Sequence, residues 1–166
     1  MRVSAVQEAT PEVVSAVQRL VPQLSSMARP PDAAEVAELV ASQAATLLVA
    51  RDDEAMERVS EPTAHAENPH GPIVGMLTLV TFRIPTGVRA WVQDVVVEGV
   101  ARGRGVGEAL TVAALQMAGA GGARTVDLTT RASREAANQL YHKMGFQLRD
   151  TNVYRYSLHE EGDPPR

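Results

Sequence analysis

The apolar positions of this chain follow two periods, and the switches between them mark out its elements. Arg2 to Val6 alternates weakly, as a first strand does. The period then lengthens: Val13 or Val14, Val17, Leu20 and Val21 share one face of a helix reaching to about Gln23. Thr10-Pro11-Glu12 supplies its start, with a capping hydroxyl, a proline in the first helical position and an acid in the first turn. Pro30-Pro31-Asp32 stops the chain and caps a second helix, roughly Ala33 to Ala44. Thr46 to Arg51 is a short apolar run, the mark of a buried strand, and ends in Asp52-Asp53-Glu54.

Ile73 to Phe82 and Val88 to Val97 predict two more strands, antiparallel across a turn at Pro85-Thr86-Gly87, with the second one central. A glycine-rich loop leads from Val97 into a third helix with Val106, Leu110, Ala113 or Ala114, and Met117 on one face. Gly119, Gly121 and Gly122 stop it. Thr125 to Thr130 is a further strand. Ser133 is the expected cap of a fourth helix, which buries Leu140 and Met144 and ends at Gly145. Phe146 to Arg149 and Val153 to Leu158 predict a final hairpin. The order β-α-α-β-β-β-α-β-α-β-β is an α/β fold with a mixed, mostly antiparallel central sheet flanked by helices. One domain over residues 1–159 is expected, followed by a polar, disordered tail over 160–166.

Met56 to Pro72 has neither period. Three prolines, three glutamates, His65 and His70 leave almost nothing to bury, so a loop is expected there. No third ligand stands at a useful spacing from the two histidines, and His142 and His159 are equally isolated, so no metal site is expected.

Composition narrows the function more than the fold. The 166 residues are 45% hydrophobic but only 4% aromatic, so the core must be aliphatic. A formal net charge of −4 argues against nucleic-acid binding by bulk electrostatics. The absence of cysteine removes disulfides and any thiol nucleophile. The first residues hold no long apolar run, so no export signal or membrane span is expected and the cytoplasm is the default compartment.

Candidate chemistry sits in Val95 to Leu110. Strand, glycine turn and helix start in succession present several backbone N–H groups in one direction, with the positive end of the helix dipole behind them. Gly103, Gly105 and Gly107 let a bulky anion approach the backbone, and Arg102 and Arg104 add cationic forks. A diphosphate-containing ligand fits. The stretch has no Gly-Lys-Ser/Thr, and Glu108 stands where a dinucleotide fingerprint needs its third glycine.

Arg102-x-x-Gly105-x-Gly107 after the strand Trp91 to Val97 resembles the acetyl-coenzyme A loop of the GNAT superfamily of N-acyltransferases, written Gln/Arg-x-x-Gly-x-Gly/Ala. A second stretch, Ser133 to Phe146, resembles the family's Asn-x-x-Ala-x-x-Leu/Phe-Tyr-x-x-x-Gly-Phe segment, through Ala137, Asn138, Leu140, Tyr141, Gly145 and Phe146. Gly99 and Ala101 depart from the usual proline and aromatic ahead of Arg102. The likeness covers about Gly75 to Leu158.

The resemblance implies the acyl-CoA N-acyltransferase fold and acetyl-CoA as cosubstrate. It places Val95, Val96 and Val97 along the pantetheine, with the Val97 amide toward the thioester carbonyl. The backbone from Arg102, Gly103 and Arg104 through Gly105, Val106, Gly107 and Glu108 would cradle the pyrophosphate. Asn138 would bind the pantetheine arm or the adenosine side, and Tyr141 would protonate the leaving thiolate. Asp94 is the best candidate general base, with Glu98 weaker. A homodimer is expected by the same likeness.

The chemistry sets its own demands. A lysine-like amine with a pKa near ~10.4 is only about one part in two thousand neutral at pH 7, so a base or desolvation must help it. Without cysteine, direct attack in a ternary complex replaces a thiol acyl-enzyme. A non-catalytic acyl-CoA sensor would keep the loop but could dispense with Tyr141. A longer acidic acyl donor would need a cation near the acyl end, from Arg83, Arg89 or Arg131. The acceptor carries no motif, and Glu35, Glu38, Asp52 and Glu61 are acids that could draw a polycation or simply be solvated.

Overall fold

The computed structural model describes residues 1–25, 27–53 and 71–158. Most of the expected Met56 to Pro72 loop, with Glu61, His65 and His70, lies outside the described residues, as do His159 and the tail. The elements are β1 (Arg2–Ala5), α1 (Pro11–Leu24), α2 (Ala33–Ala41), β2 (Ala45–Arg51), β3 (Ile73–Ile84), β4 (Gly87–Val97), a 3-10 turn (Gly99–Ala101), α3 (Val106–Ala120), β5 (Ala123–Leu128) and α4 (Glu135–Lys143).

Local chemistry sets the first two helices as the sequence predicts. The Thr10 side chain accepts from the Val13 amide, and Pro11 opens α1. Asp32 and Glu35 form a reciprocal capping box at the start of α2. The strands lie in the order β1-β2-β3-β4-β5. The first three pairings are antiparallel and β4 runs parallel to β5.

Both faces of the sheet are covered. Along β2, Leu47 and Val49 point toward α1 and α2, where they meet Val13, Val17, Leu20 and Val36. Leu48 and Ala50 point the other way, toward Val106, Leu110 and Ala114 of α3. Leu20, Leu47, Leu48, Leu77, Leu79 and Leu110 are almost wholly enclosed, each adding about 1.5–3 kcal/mol by burial. As expected of a chain with so few rings, the core is aliphatic. At Gly75 a Cβ would lie 3.0 Å from Val106 Cγ1 and 3.2 Å from Leu110 Cδ1. That missing side chain lets α3 lie directly on β3.

Three expectations need correction. No strand forms among residues 146–158, so the predicted final hairpin is absent and the sheet has five strands among the described residues. Gly145 turns left-handed after α4, the Phe146 amide bonds to Tyr141 O, and the Phe146 ring meets the Tyr141 ring edge-on. The chain is thereby tied to its own helix and not to β5. Ser133 is not the cap of α4: Arg134 takes that place, without a side-chain bond to the helix. Leu140 and Met144 are half-buried, and α4 has no fully buried residue.

Candidate active site

The site begins where two parallel strands part. β4 and β5 pair from Val88 with Ala123 as far as Val92 with Leu128, and no further. Beyond that pair, Gln93, Asp94, Val95 and Val97 on one side and Thr129 to Arg131 on the other line a cavity of about 860 Å³. The parting follows from β4 itself. Thr78 faces Gln93 while Met76 faces Val96, so Asp94 and Val95 together oppose Leu77. This two-against-one count is a bulge, which leaves a residue out of the ladder and bends its strand.

Asp94 takes a φ of +51°, the only non-glycine residue among those described in the left-handed region. Such a conformation is held only where the surroundings impose it, and it concentrates at functional sites. The bulge also resets which way the side chains point. Val92 faces α3, yet Val96, four residues on, is buried toward α1 and α2. Val95 and Val97 return to the α3 side and line the cavity, whereas Val96 is a core residue away from it. Asp94 is exposed and also lines the cavity.

The glycine turn closes one end. Gly105 sits at the cap of α3 with φ +79°, and no side chain caps this helix. α1 and α2 both have side-chain caps, so α3 differs in leaving its first amides without one. Gly103, Gly105, Gly107 and Glu108 all border the cavity. Arg102 borders it too, with Nε donating to Val97 O at 3.1 Å across the loop. Arg104 does not border it: its Nη1 donates to Asp52 Oδ2 at 2.7 Å.

α4 forms the third wall. Leu140 Cδ2 would lie 3.3 Å from a Cβ on Gly107, so the glycine makes room for this helix against the start of α3. Lys143 Nζ donates to Glu108 Oε2 at 2.8 Å, and Arg134 Nη2 to Leu24 O of α1 at 2.8 Å. Tyr141 faces the cavity from this helix. Burial pushes the Tyr141 hydroxyl above the ordinary tyrosine pKa, and the nearby Arg134 charge opposes that only in part. A protonated phenol at neutral pH is therefore what the site presents.

Two of the sequence candidates have structural partners instead. Asn138 Nδ2 donates to Arg131 O and Arg134 O, each at 3.0 Å, and thereby ties the loop before α4 to the helix. It does not line the cavity. Glu98 accepts from Arg19 and, at 2.9 Å, from Gln23 Nε2, which fastens α1 to the end of β4. Of the three arginines that could meet an acidic acyl group, Arg131 lines the cavity, and Arg83 and Arg89 do not. Sequence reasoning missed Arg134, Leu24 and Lys143. Arg134 and Leu24 meet across 110 positions, and no periodicity records such a pair.

Among the described residues, no group of three or more histidines and carboxylates could hold a metal ion, and no helix is long and apolar enough to cross a membrane.

Comparison with known proteins agrees with this architecture. An acetyltransferase from Trypanosoma brucei shares 21% identity at a TM-score of 0.69, over 95% of this chain and 99% of that one. An aminoglycoside acetyltransferase from an uncultured soil metagenomic sample, solved in complex with sisomicin, shares 17% at 0.74, over 96% of each chain. The ribosomal-protein-alanine N-acetyltransferase of Brucella melitensis biovar Abortus 2308 shares 19% at 0.70, over 95% of this chain and all of that one. At such identities these likenesses show the fold. Among curated proteins no sequence matches. The profile of the acetyltransferase (GNAT) family matches residues 28–146, well over half the chain, and the protein belongs to that family.

Proposed function

We propose that the protein transfers the acetyl group of acetyl-CoA to a primary amine, by direct attack in a ternary complex. The observation that carries this reading is the convergence on one cavity of three features. They are the start of α3 without a side-chain cap, the bulge at Asp94, and the protonated Tyr141. The pyrophosphate would lie on the amides of Gly103 to Glu108, beside Arg102. The pantetheine would run between the parted strands along Val95 and Val97.

In the transfer, the amine nitrogen attacks the thioester carbon. Asp94, directly or through a water, takes the proton the nitrogen gives up. The C–S bond then breaks and the thiolate takes the Tyr141 proton, leaving an amide and free CoA. The raised pKa keeps the phenol protonated at neutral pH but makes it a weaker acid, so its proton passes as the C–S bond breaks and charge gathers on sulfur. A purely acyl-CoA-binding domain would have no use for this tyrosine in the cavity.

The acceptor would enter near Asp94, with Leu24 and Ser25 at the end of α1 on the cavity wall. An amine-rich small molecule, of the kind bound by the soil enzyme, suits a carboxylate at that place. An exposed α-amine is the other acceptor class, and the Brucella protein's name describes one such substrate. We also propose a cytoplasmic homodimer.

Thermal unfolding with acetyl-CoA, using NADH and ATP as controls, tests the donor. At about a hundred times Kd a specific ligand adds ~2.7 kcal/mol, a rise of roughly 5–10 °C for a domain of this size. Gly105→Glu places a carboxylate at the phosphate position and should abolish the rise. Thiol release with an amine panel then tests the acceptor, with no background from this cysteine-free chain. No rise at saturating acetyl-CoA sinks the transferase reading.

A further inference from the structure

Arg104 stands in the middle of the glycine turn yet serves another part of the molecule. Gly103 has φ +74° and Gly105 φ +79°, so the backbone is left-handed on both sides of this arginine. Its guanidinium reaches the end of β2, where Nη1 meets Asp52 Oδ2 at 2.7 Å. The two side chains differ sharply in exposure, 35% for Arg104 and 4% for Asp52, so the acid is the enclosed partner.

Asp52 is itself held in place. Its amide donates to Pro72 O at 3.0 Å. Gly71, at φ +71°, presses so close that a Cβ there would lie 2.4 Å from Asp52 O. Arg51 Nη1 donates to Gly71 O at 2.9 Å, while the same guanidinium pairs with both Glu12 oxygens. The carboxylate therefore projects from a platform braced by α1 and by both ends of the β2–β3 connection.

We propose that Asp52 is a positioning residue for the donor site: it anchors Arg104, and so holds the glycine turn with its amides facing the cavity. This inference rests on the acetyl-CoA reading above. It assigns the two arginines of the turn different tasks. Arg102, on the cavity, is the cation available to the donor's phosphates. The charge of Arg104 is matched by a buried acid, and its work is to fix the backbone between two glycines that would otherwise move freely. A turn displaced by a fraction of an ångström misaims several amides at once, which weakens donor binding more than it slows the chemical step.

The test uses the full chain with Asp52→Asn, Arg104→Gln and the pair of substitutions together. It reads the amide ¹H–¹⁵N signals of Gly103, Gly105 and Gly107 without ligand, then steady-state kinetics. Expected for Asp52→Asn are displaced glycine signals and a KM for acetyl-CoA raised about tenfold. Its kcat should stay within about twofold and its amine KM unchanged. Arg104→Gln should give the same split. The double variant, with two neutral amides able to bond each other, should recover most of the lost affinity.

Unmoved glycine signals in Asp52→Asn overturn the proposal. So does a lowered acetyl-CoA KM there combined with a raised one in Arg104→Gln, because Arg104 would then touch phosphate directly. If Asp52→Asn fails to fold, the double variant decides: affinity near wild type supports the anchor, and weakened affinity overturns it. If the wild type binds no acetyl-CoA while the glycine signals still move, the donor reading has failed and the anchor stands.

Discussion

Tyr141 and Asp94 reach the same cavity by opposite means, one from a helix and one from a broken strand. Tyr141→Phe keeps the ring against Phe146 and removes only the hydroxyl that carries the proton. We expect kcat to fall about 10²-fold or more with the acetyl-CoA KM little changed, measured by thiol release. An unchanged kcat would remove Tyr141 from the reaction. The raised pKa of its hydroxyl also fixes a pH dependence. The folded chain keeps this proton to higher pH than the unfolded chain, whose tyrosine titrates near ~10. Above that value the folded state binds more protons, so stability falls as pH rises through the folded pKa. Denaturant titrations between about pH 9 and 11 should therefore show wild type losing more stability than Tyr141→Phe. In the activity profile, no falling limb should come from this tyrosine below about pH 10.

At the scale of elements, what was legible in the sequence was local. Thr10, Pro11, Asp32 and Glu35 lie within one turn of the groups they serve, so their spacing alone announces α1 and α2. The glycine turn was legible for the same reason. The bulge was not: Val92 to Val97 reads as an unbroken strand, and only the register against β3 shows Asp94 and Val95 sharing one partner. The final hairpin failed because alternation tells which side chains share a face, not which edge they pair with. Packing between elements was equally hidden, since nothing in the sequence says that Gly75 is the contact of β3 with α3. Gly75→Ala should show it. The added Cβ meets Val106 and Leu110 side chains and, at 3.1 Å, the Val96 carbonyl, which cannot swing away. Overpacking of this kind costs about 1–3 kcal/mol, read as a lower urea midpoint at unchanged slope. A midpoint equal to wild type would mean that α3 can shift without cost.

Across the whole molecule the two faces of the sheet are unequal. The α1–α2 side and the α3 side each enclose a core, but α4 and residues 144–158 add no fully buried side chain. Leu148, Tyr154, Tyr156 and Leu158 are 88–91% exposed, and among the described residues β5 pairs with β4 alone. Tyr154, Tyr156 and Leu158 alternate, as the residues of an added strand do. An alternating strip of exposed large apolar side chains is a surface that proteins normally cover. Two copies of the chain, related by a twofold axis, would cover both strips at once, which is the commonest arrangement for a self-complementary surface. Light scattering on the full chain should then give about twice the 17.8 kDa chain mass, and removal of residues 148–166 should return it to a monomer. The shortened chain loses Arg155 from the cavity wall but keeps the parted strands, the glycine turn and Tyr141, so its thermal response to acetyl-CoA should survive. A full chain that runs as a monomer at tens of micromolar would refute pairing through this strip, and leave the donor site untouched.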